Sequence, residues 1–268
     1  MASLSVSPAQ LASALGAVRE TNPLVQCLTN IVVAQWTANN LLSLGAAPAM
    51  VDNAHEAALF ATFASGVLIN TGTPYDETAT AMALAAESAQ ASGTPWVLDP
   101  VAAGGLPWRT QIAQNLLNRH SPQIVRGNGS EILGLAGGAG GKGVDSTDPA
   151  EAALAAARGI ATTHGTVVAI SGEVDHITDG ERLVRISNGH PLMTQVTGVG
   201  CALGAIMAAF AGVEKDYFVA AAAATATLTV AGDIAAEGNP APGTFAVRLV
   251  DALHTLTPAE LADRVVLS

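Results

Sequence analysis

The stretch Thr166-Val-Val-Ala-Ile-Ser171 decides the fold class predicted for this chain. A continuous apolar run, without alternating polar residues, is typical of a strand that is buried on both faces of a sheet. Residues 148–163 before it have the spacing of a helix, and residues 174–187 after it alternate as in a β-hairpin. A second run of the same kind is Gly66-Val-Leu-Ile-Asn70. Such runs favour a parallel sheet that carries helices on both faces.

Strand and helix patterns alternate along the rest of the chain, which predicts an α/β fold with a mainly parallel central sheet. No Pro- or Ser-rich linker and no internal repeat divides the sequence, so we expect a single domain over residues 1–268. Further strands are predicted at 24–28, 95–99 and 121–126, further helices at 31–44, 54–65, 75–92, 109–119 and 243–254, and a glycine-rich loop at 134–143.

The composition excludes some classes of function. The 268 residues carry a net charge of −11, and the 11 Lys and Arg residues are spread along the chain. A surface that binds nucleic acid requires clustered basic residues, so we expect no nucleic acid partner. Only 12% of the residues are charged, and so sparsely charged a surface favours burial between subunits. An anionic ligand would be held by backbone N–H groups, a few basic side chains or a metal.

Cysteines and apolar runs predict the cellular location. The two cysteines, Cys27 and Cys201, have no disulfide or metal-site spacing, which is typical of a reducing cytoplasm. The first residues lack the basic region and apolar core of a secretory signal. The apolar runs 201–213 and 218–231 are shorter than the ~18–20 residues of a membrane span. We therefore expect buried helices and no membrane partner.

A glycine-rich turn, Thr197-Gly-Val-Gly-Cys201, precedes the first of these apolar runs. Glycines let a backbone approach a ligand closely, and the first N–H groups of a helix attract anions. Gly198, Val199 and Gly200 are therefore predicted to form a phosphate cradle. Cys201 would lie in the first helical turn, where the helix dipole stabilises a thiolate. The alternative is that Cys201 is a small buried side chain without chemistry.

Two familiar nucleotide motifs do not fit the sequence. Gly141-Lys142 lacks the first glycine of a P-loop, where Ala136 stands, and the Ser or Thr after the lysine, where Gly143 stands. The stretch 198–204 reads G-x-G-x-x-x-G, one residue longer than the dinucleotide fingerprint, and no clear strand precedes it. A P-loop and an NAD site are not expected.

Polar side chains collect where the predicted strands end, and ligands of open α/β sheets bind at the carboxyl ends of strands. Asp99 and Glu131 are therefore candidates to hold Mg²⁺ near phosphates, often through water. Equally, they could cap adjacent helices, since Asn128 and Glu131 have capping-box spacing. Arg126 is a candidate phosphate contact. The residues expected to converge on this rim are Asn30, Asn70, Asp99, Arg126, Asn128, Glu131 and Ser171.

Taken together, these residues resemble those of the hydroxyethylthiazole kinases, a family of the ribokinase-like superfamily. Any one matching block is a modest signal, whereas all of them in this order are specific. The blocks are Leu28-Thr-Asn30, Thr37-Ala-Asn39, Leu44-Gly-Ala-Ala-Pro48-Ala-Met50, Asn70-Thr-Gly-Thr73, Leu98-Asp99-Pro-Val101, Arg126-Gly-Asn128-Gly-Ser-Glu131, Gly143-Val-Asp145-Ser, Ala169-Ile-Ser-Gly-Glu173-Val-Asp175, Asn188-Gly-His190 and Thr197-Gly-Val-Gly-Cys201.

The resemblance implies a ribokinase-like fold and a homotrimer with active sites between subunits. It also implies ATP-dependent phosphorylation of 4-methyl-5-(2-hydroxyethyl)thiazole in thiamin salvage, with Mg²⁺ as cofactor. By position, Met50 would contact the thiazole, with Asn30, Asn39 and Gly198 nearby. The same resemblance implies that the nucleotide is contacted by Arg126, Asn128, Ser171 and Thr197, that Mg²⁺ and phosphate are held by Asp99 and Glu131, and that the anion hole is formed by Gly198, Val199, Gly200 and Cys201.

The reaction expected from this interpretation is in-line transfer of the γ-phosphoryl group of ATP to the thiazole alcohol, with positioning and charge stabilisation dominant. Cys201 would orient the hydroxyl or accept its proton late, and the sequence leaves both roles open. One alternative is another ribokinase-like kinase of a small heteroaromatic alcohol, such as hydroxymethylpyrimidine. Two others are a cysteine-dependent hydrolase or transferase, which would need a histidine to activate Cys201, and a binding protein without catalysis.

Overall fold

The computed structural model describes residues 6–137 and 149–268. Residues 1–5 and 138–148 lie outside the described residues. Most of the glycine-rich loop predicted at 134–143, and the block Gly143-Val-Asp145-Ser, therefore lie outside them as well.

One eight-stranded sheet runs through the described part of the chain, in the order β2-β1-β3-β4-β5-β6-β7-β8. The first six strands pair in parallel, and β6, β7 and β8 pair antiparallel as the predicted hairpin. The predicted mainly parallel sheet is confirmed. The strands are β1 Leu24–Leu28, β2 Ala47–Ala49, β3 Gly66–Asn70, β4 Trp96–Asp99, β5 Ile124–Asn128, β6 Val167–Ser171, β7 Asp175–Thr178 and β8 Leu183–Ile186.

Helices cover both faces of this sheet, as the apolar strands predicted. The helices are α1 Pro8–Thr21, α2 Ala34–Leu44, α3 Ala57–Ala61, α4 Asp76–Ser92, α5 Pro107–His120, α6 Gly129–Leu135, α7 Pro149–His164, α8 Val199–Val213, α9 Tyr217–Ala236, α10 Pro242–Thr255 and α11 Pro258–Arg264, with a short 3₁₀ helix at Pro191–Gln195. One hydrophobic core lies between the sheet and α1, α2 and α8 to α11. A second core lies between the other face and α3 to α7.

Several predicted boundaries are wrong by a few residues, for local reasons. Helix α3 is shorter than 54–65, because the Asn53 side chain accepts the N–H groups of His55 and Glu56 and holds them in a turn. Strand β5 starts at Ile124 rather than 121, since Ser121 is still the cap of α5. Helices α6 and α11 are not among the elements that the sequence predicts.

The two apolar helices after the glycine turn form the centre of the first core. Helix α8 packs on β1, β3 and β4, and α9 packs against α1, α8 and α10. Helix α9 has 20 residues, which by length is enough to span a membrane. The expectation that this apolar segment is too short is therefore wrong. Most of that helix is nevertheless buried inside the fold, which confirms the predicted buried helix.

Candidate active site

The parallel strands bring the predicted polar residues to one rim of the sheet. Asn70 and Asp99 are the last residues of β3 and β4 and lie side by side in register. Asn128 and Ser171 are the corresponding pair at the ends of β5 and β6. Parallel strands place their carboxyl ends at a single edge, which is where α/β proteins bind ligands.

A chain of hydrogen bonds joins the buried side chains of this rim. The Nδ2 group of Asn30 donates to the Sγ atom of Cys201 at 3.4 Å and to Oδ1 of Asn70 at 3.0 Å. Asn70 Nδ2 donates to Oδ2 of Asp99 at 2.6 Å. The Nη1 atom of Arg126 lies 3.4 Å from the same Asp99 oxygen. Asn30, which is predicted to lie near the thiazole, is thereby connected to Asp99 and Arg126, which are predicted to lie near the phosphates.

Arg126 also connects this cluster to Ser171, which is predicted to contact the nucleotide. Its Nη2 group donates to Oγ of Ser171 at 2.8 Å, whereas its buried Nε has no hydrogen-bond partner among the described residues. Burial acts to lower the pKa of Arg126, but the charges of Asp99 and Glu131 outweigh it and leave the pKa raised. The guanidinium is therefore a permanent positive charge at the rim, with hydrogen-bonding capacity to spare.

Asp99 is fully buried next to this charge. Burial raises its pKa to about 6, against the opposing effects of Arg126 and of the Asn70 hydrogen bond. The charge of Glu131 adds to the rise. Desolvation of a carboxylate is costly, so its partners at the rim keep Asp99 within reach of ionisation near neutral pH.

The glycine turn lies against the same cluster and starts α8. Gly198 is the N-cap of the helix with φ +90°, a left-handed conformation that favours glycine. A Cβ atom there would come within 2.6 Å of a Val33 methyl group. The first helical hydrogen bond runs from Ala202 N to the Gly198 carbonyl, so the N–H groups of 199–201 come before it. These are the N–H groups predicted to form a phosphate cradle, and that role stays a prediction.

A cavity of about 620 Å³ lies next to the start of α8. Arg126, Ser171, Val199 and Gly200 line it, together with the β6–β7 turn and the loop before the 3₁₀ helix. A Cβ atom on Gly200 would lie 3.1 Å from Nη1 of Arg126. A cavity bounded by helix N–H groups and a guanidinium is suited to a phosphate-bearing ligand.

The predicted thiolate at Cys201 is wrong. Burial raises the pKa of the thiol, and the nearby charge of Asp99 raises it further. The nearby amide of Asn70, the hydrogen bond from Asn30 and the charge of Arg126 only partly oppose this rise of the pKa. Cys201 is therefore a neutral, partly buried thiol. Such a thiol is a poor nucleophile, which counts against a cysteine-dependent hydrolase.

Glu131 and Asn128 form the capping box that their spacing allowed. Glu131 Oε2 accepts the N–H of Asn128 at 2.9 Å, and Asn128 Oδ1 accepts the N–H of Glu131 at 2.9 Å. The other carboxylate oxygen of Glu131 accepts the N–H of Ala102 at 3.0 Å. Glu131 thus fixes the loop after β4 as well as the start of α6.

The acidic residues of the rim were tested as a magnesium site. In residues 6–137 and 149–268 there is no group of three or more His, Cys, Asp or Glu arranged to hold a metal ion. Asp99 and Glu131 are already hydrogen-bonded, but carboxylate oxygens accept more than one bond. This donor set is too small for a closed metal site. It fits a Mg²⁺ ion that keeps its waters and is carried by phosphates.

Three predicted residues lie outside the hydrogen-bonded cluster, the capping box of Asn128 and Glu131, and the start of α8. Met50 follows β2 at the edge of the sheet and is partly exposed. Asn39 lies on the exposed side of α2 and Thr197 on the exposed side of the turn. Their predicted roles require ligands or a second subunit, so they stay predictions.

Sequence reasoning gave no role to two residues of the site. Asn70 is expected at the rim as a polar strand-end residue, and the structure shows that it joins Asn30 to Asp99. Asp175 lines the cavity and accepts the N–H of Gly172 at 2.9 Å. The strand-end position was a usable signal for Asn70. Nothing in the alternation of the hairpin marks Asp175, because the cavity is closed by elements distant in sequence.

A sequence model of the hydroxyethylthiazole kinase family matches residues 15–259, most of the chain. The chain belongs to this family. Hydroxyethylthiazole kinase of Clavibacter sepedonicus is 59% identical over 247 residues, which cover 92% of this chain and 90% of that protein. The hydroxyethylthiazole kinase family is a family of phosphotransferases, and membership does not favour the hydrolase or the pyrimidine kinase alternatives.

Solved structures place the chain in the ribokinase-like fold. The structure of hydroxyethylthiazole kinase from Pyrococcus horikoshii OT3 has a TM-score of 0.89 at 36% identity and covers 96% of this chain and 98% of that chain. Pyridoxal kinase from Staphylococcus aureus has a TM-score of 0.60 at 17% identity, covering 78% of this chain and 86% of that one. The second likeness concerns the fold alone. The predicted fold of this hydroxyethylthiazole kinase family member is confirmed.

Proposed function

We propose that the protein transfers the γ-phosphoryl group of ATP to the primary alcohol of 4-methyl-5-(2-hydroxyethyl)thiazole, a step of thiamin salvage. Family membership supports the chemistry and the substrate class. The observation that carries the proposal is the start of α8, which opens onto the cavity beside Arg126. That arrangement offers helix N–H groups and a guanidinium to a transferring phosphoryl group.

The two substrates would approach this turn from opposite sides. The nucleotide would occupy the cavity, in contact with Arg126, Ser171, Asn128 and Thr197. The thiazole would lie on the other side of the turn, against Met50 with Asn30, Asn39 and Gly198 nearby. Cys201, hydrogen-bonded to Asn30, would lie between the two.

In the reaction, the substrate hydroxyl oxygen forms a bond to the γ-phosphorus as the bond to the β-phosphate bridging oxygen breaks, and ADP leaves. The N–H groups of Val199, Gly200 and Cys201 and the charge of Arg126 would stabilise the transferring group. Since the pKa of Cys201 is raised, we assign the thiol to orienting the hydroxyl rather than to deprotonating it. The hydroxyl proton leaves late in a loose transition state, to an oxygen of the transferred phosphoryl group or to water, so no strong base is required.

Mg²⁺, held through its waters by Asp99 and Glu131, would supply charge neutralisation of the phosphates. The negative charge of these carboxylates would also favour MgATP over free ATP, because free ATP is the more negatively charged of the two. Removal of divalent cations with EDTA should therefore abolish turnover.

We further propose a single kinase domain that works as a homotrimer in the cytoplasm, with active sites between subunits. Large exposed apolar side chains near the β1–β2 edge support such an assembly. They are Ile31, Val32, Leu42, Met50, Leu59 and Phe63. Met50 belongs to this exposed set, as expected of a substrate contact completed by a second subunit.

The test is ADP release with MgATP and a series of small heteroaromatic alcohols. We expect ADP release that depends on the thiazole alcohol, with the phosphate ester detected by phosphorus NMR. The control is 5-ethyl-4-methylthiazole, which lacks the hydroxyl group and should release no ADP. Absence of turnover with the thiazole alcohol, or preference for hydroxymethylpyrimidine, would overturn the proposal.

A further inference from the structure

We propose that Asn70 is a positioning residue for phosphoryl transfer, because its amide holds Asn30 on the acceptor side and Asp99 on the phosphate side in one fixed arrangement. The inference rests on the proposed function. It assigns a role to a side chain that would touch neither substrate.

The contacts of Asn70 use both ends of its amide. The side chain is fully buried at the end of β3. Its Oδ1 atom accepts the Nδ2 group of Asn30 and the backbone N–H of Gly72, each at 3.0 Å. Its Nδ2 group donates to Oδ2 of Asp99 at 2.6 Å. Buried polar groups that are satisfied in this way specify a single arrangement.

The orientation of this amide follows from its partners. An ionised Asp99 only accepts hydrogen bonds, so the NH₂ end of Asn70 must face it. The oxygen end then faces two donors, Asn30 Nδ2 and Gly72 N–H. A flipped amide would oppose oxygen to oxygen at Asp99 and NH₂ to N–H at Gly72. Asn70 therefore has one orientation that suits both sides of the site.

Asn30 is held tightly by the bend that follows Asn70. A Cβ atom on Gly72 would lie 2.6 Å from Asn30 Nδ2, so the Gly72 backbone presses directly on the Asn30 side chain. The same Nδ2 group reaches the Sγ atom of Cys201 at 3.4 Å. The position of Asn30 relative to Cys201 thus depends on Asn70 and on the absence of a side chain at Gly72.

At the other end, Asp99 has two partners of different kinds. The Asn70 bond of 2.6 Å is shorter than the 3.4 Å contact with Arg126. The amide therefore sets the orientation of the carboxylate, and Arg126 is left free to reach Ser171. Loss of Asn70 should misplace groups that act on the transferring phosphoryl group, while the proposed binding contacts at Met50 and Ser171 remain. Such a change lowers kcat more than it raises KM.

The experiment compares Asn70→Ala and Asn70→Asp in the ADP-release assay, with KM measured for ATP and for the thiazole alcohol. Asn70→Ala removes both arms of the amide, and we expect kcat to fall about 10- to 100-fold. The KM for ATP should stay near that of the wild type, and the KM for the thiazole, which would lie near Asn30, should change less than kcat. Asn70→Asp keeps an acceptor for Asn30 and Gly72 but sets a second carboxylate against Asp99. We expect it to retain the KM for the thiazole and to lose at least as much kcat.

The matched control is Asn40→Ala. Asn40 is also fully buried, but its side chain donates to the Trp36 carbonyl within α2 at 2.8 Å and is not part of the rim cluster. We expect this variant to lose thermal stability and to keep its kcat. The proposal is overturned if either Asn70 variant keeps a wild-type kcat, if Asn40→Ala loses as much, or if neither Asn70 variant folds. Failure of the proposed function is distinct, because wild-type protein would then show no turnover.

Discussion

At the scale of single residues, the site depends on two positions of the glycine turn that carry no side chain. Gly198 has a left-handed conformation against Val33, and Gly200 leaves room for the guanidinium of Arg126. The turn can therefore lie close to both the buried cluster and the cavity. A side chain at either position would occupy the space in which we expect phosphate to bind.

We predict that Gly200→Val abolishes turnover, because a branched side chain would displace Arg126 and cover the N–H groups of the turn. The measurement is kcat with saturating MgATP and thiazole alcohol, beside a thermal unfolding curve. Gly243→Val is the control, since a Cβ atom at Gly243 meets nothing within 4 Å. Near-normal activity of Gly200→Val would remove the basis for a phosphate cradle at this turn.

A second prediction at this scale concerns Asp175. Burial raises its pKa to about 6, against the hydrogen bond from Gly172 N–H and the charge of Arg126. Between pH ~4 and about 6, the Asp175 carboxyl of the folded protein thus keeps a proton that the unfolded chain has already released. The stability that this proton contributes is fully present below pH ~4, the unfolded value, and is lost as the pH rises through about 6.

Asp175→Asn removes the charge and keeps the acceptor oxygen. Relative to the wild type, its free energy of unfolding should rise by up to about 3 kcal/mol between about pH 4 and about pH 7. Urea unfolding at both pH values measures this. The control is Asp216→Asn, where the hydrogen bond from Arg182 lowers the pKa of the native carboxyl and the sign should be opposite. Equal pH dependence of Asp175→Asn and wild type would contradict the assignment.

At the scale of elements, the position of the turn is set by how closely α8 packs on the sheet. The helix backbone lies directly on β3, where a Cβ atom on Gly66 would overlap the carbonyl group of Ala208. At the far end of the helix, a Cβ on Gly212 would lie 2.8 Å from the Ser65 carbonyl oxygen. Small residues thus bring the helix close enough for its first turn to reach the strand ends.

We predict that Gly66→Ala lowers the free energy of unfolding by about 1–3 kcal/mol or more, because backbone rather than a flexible side chain must move. Activity should fall with it, since the start of α8 would shift away from the rim. Gly159→Ala in α7 is the matched control. A Cβ atom there meets nothing within 4 Å, so the variant should be about 0.5–1 kcal/mol more stable. A fully stable Gly66→Ala protein would refute the close contact.

At the scale of the whole molecule, six of the eleven large apolar side chains that the described residues expose lie in or next to β1, α2, β2 and α3. Leu59 and Phe63 belong to or follow α3, and Ile31 follows β1. Burial of such side chains in an interface is strongly favourable, whereas their exposure in a monomer is a liability. The assembly state is therefore the natural test of the proposed trimer.

Light scattering of the wild type should give the mass of three chains. Leu59→Glu and Phe63→Glu should shift the mass towards one chain and reduce turnover, because charges in an apolar interface are costly. Val266→Glu, at the β8 edge of the sheet, is the control and should keep three chains. A monomeric, fully active wild type would contradict sites between subunits.

Local patterns in the sequence suffice to predict most of the strands and helices and the polar residues at their ends. Continuous apolar runs predicted the parallel strands, and the glycine turn before an apolar run predicted a helix start suited to phosphate. The matching blocks, taken in their order, carried the family resemblance, and the resemblance implied the fold family and the substrates. These features are local, because the pattern of a strand, a turn or a cap is written in neighbouring residues.

Which of these strand ends meet, and which of their side chains are charged, follows from the three-dimensional packing of the chain. The fold sets Asn70 between Asn30 and Asp99, bonds Glu131 to the loop after β4, and turns the expected Cys201 thiolate into a neutral thiol. Hydrogen-bond partners and pKa values depend on burial and on charges from strands that are far apart in the chain. The order of the strands in the sheet, which no local pattern records, is the physical reason for the difference.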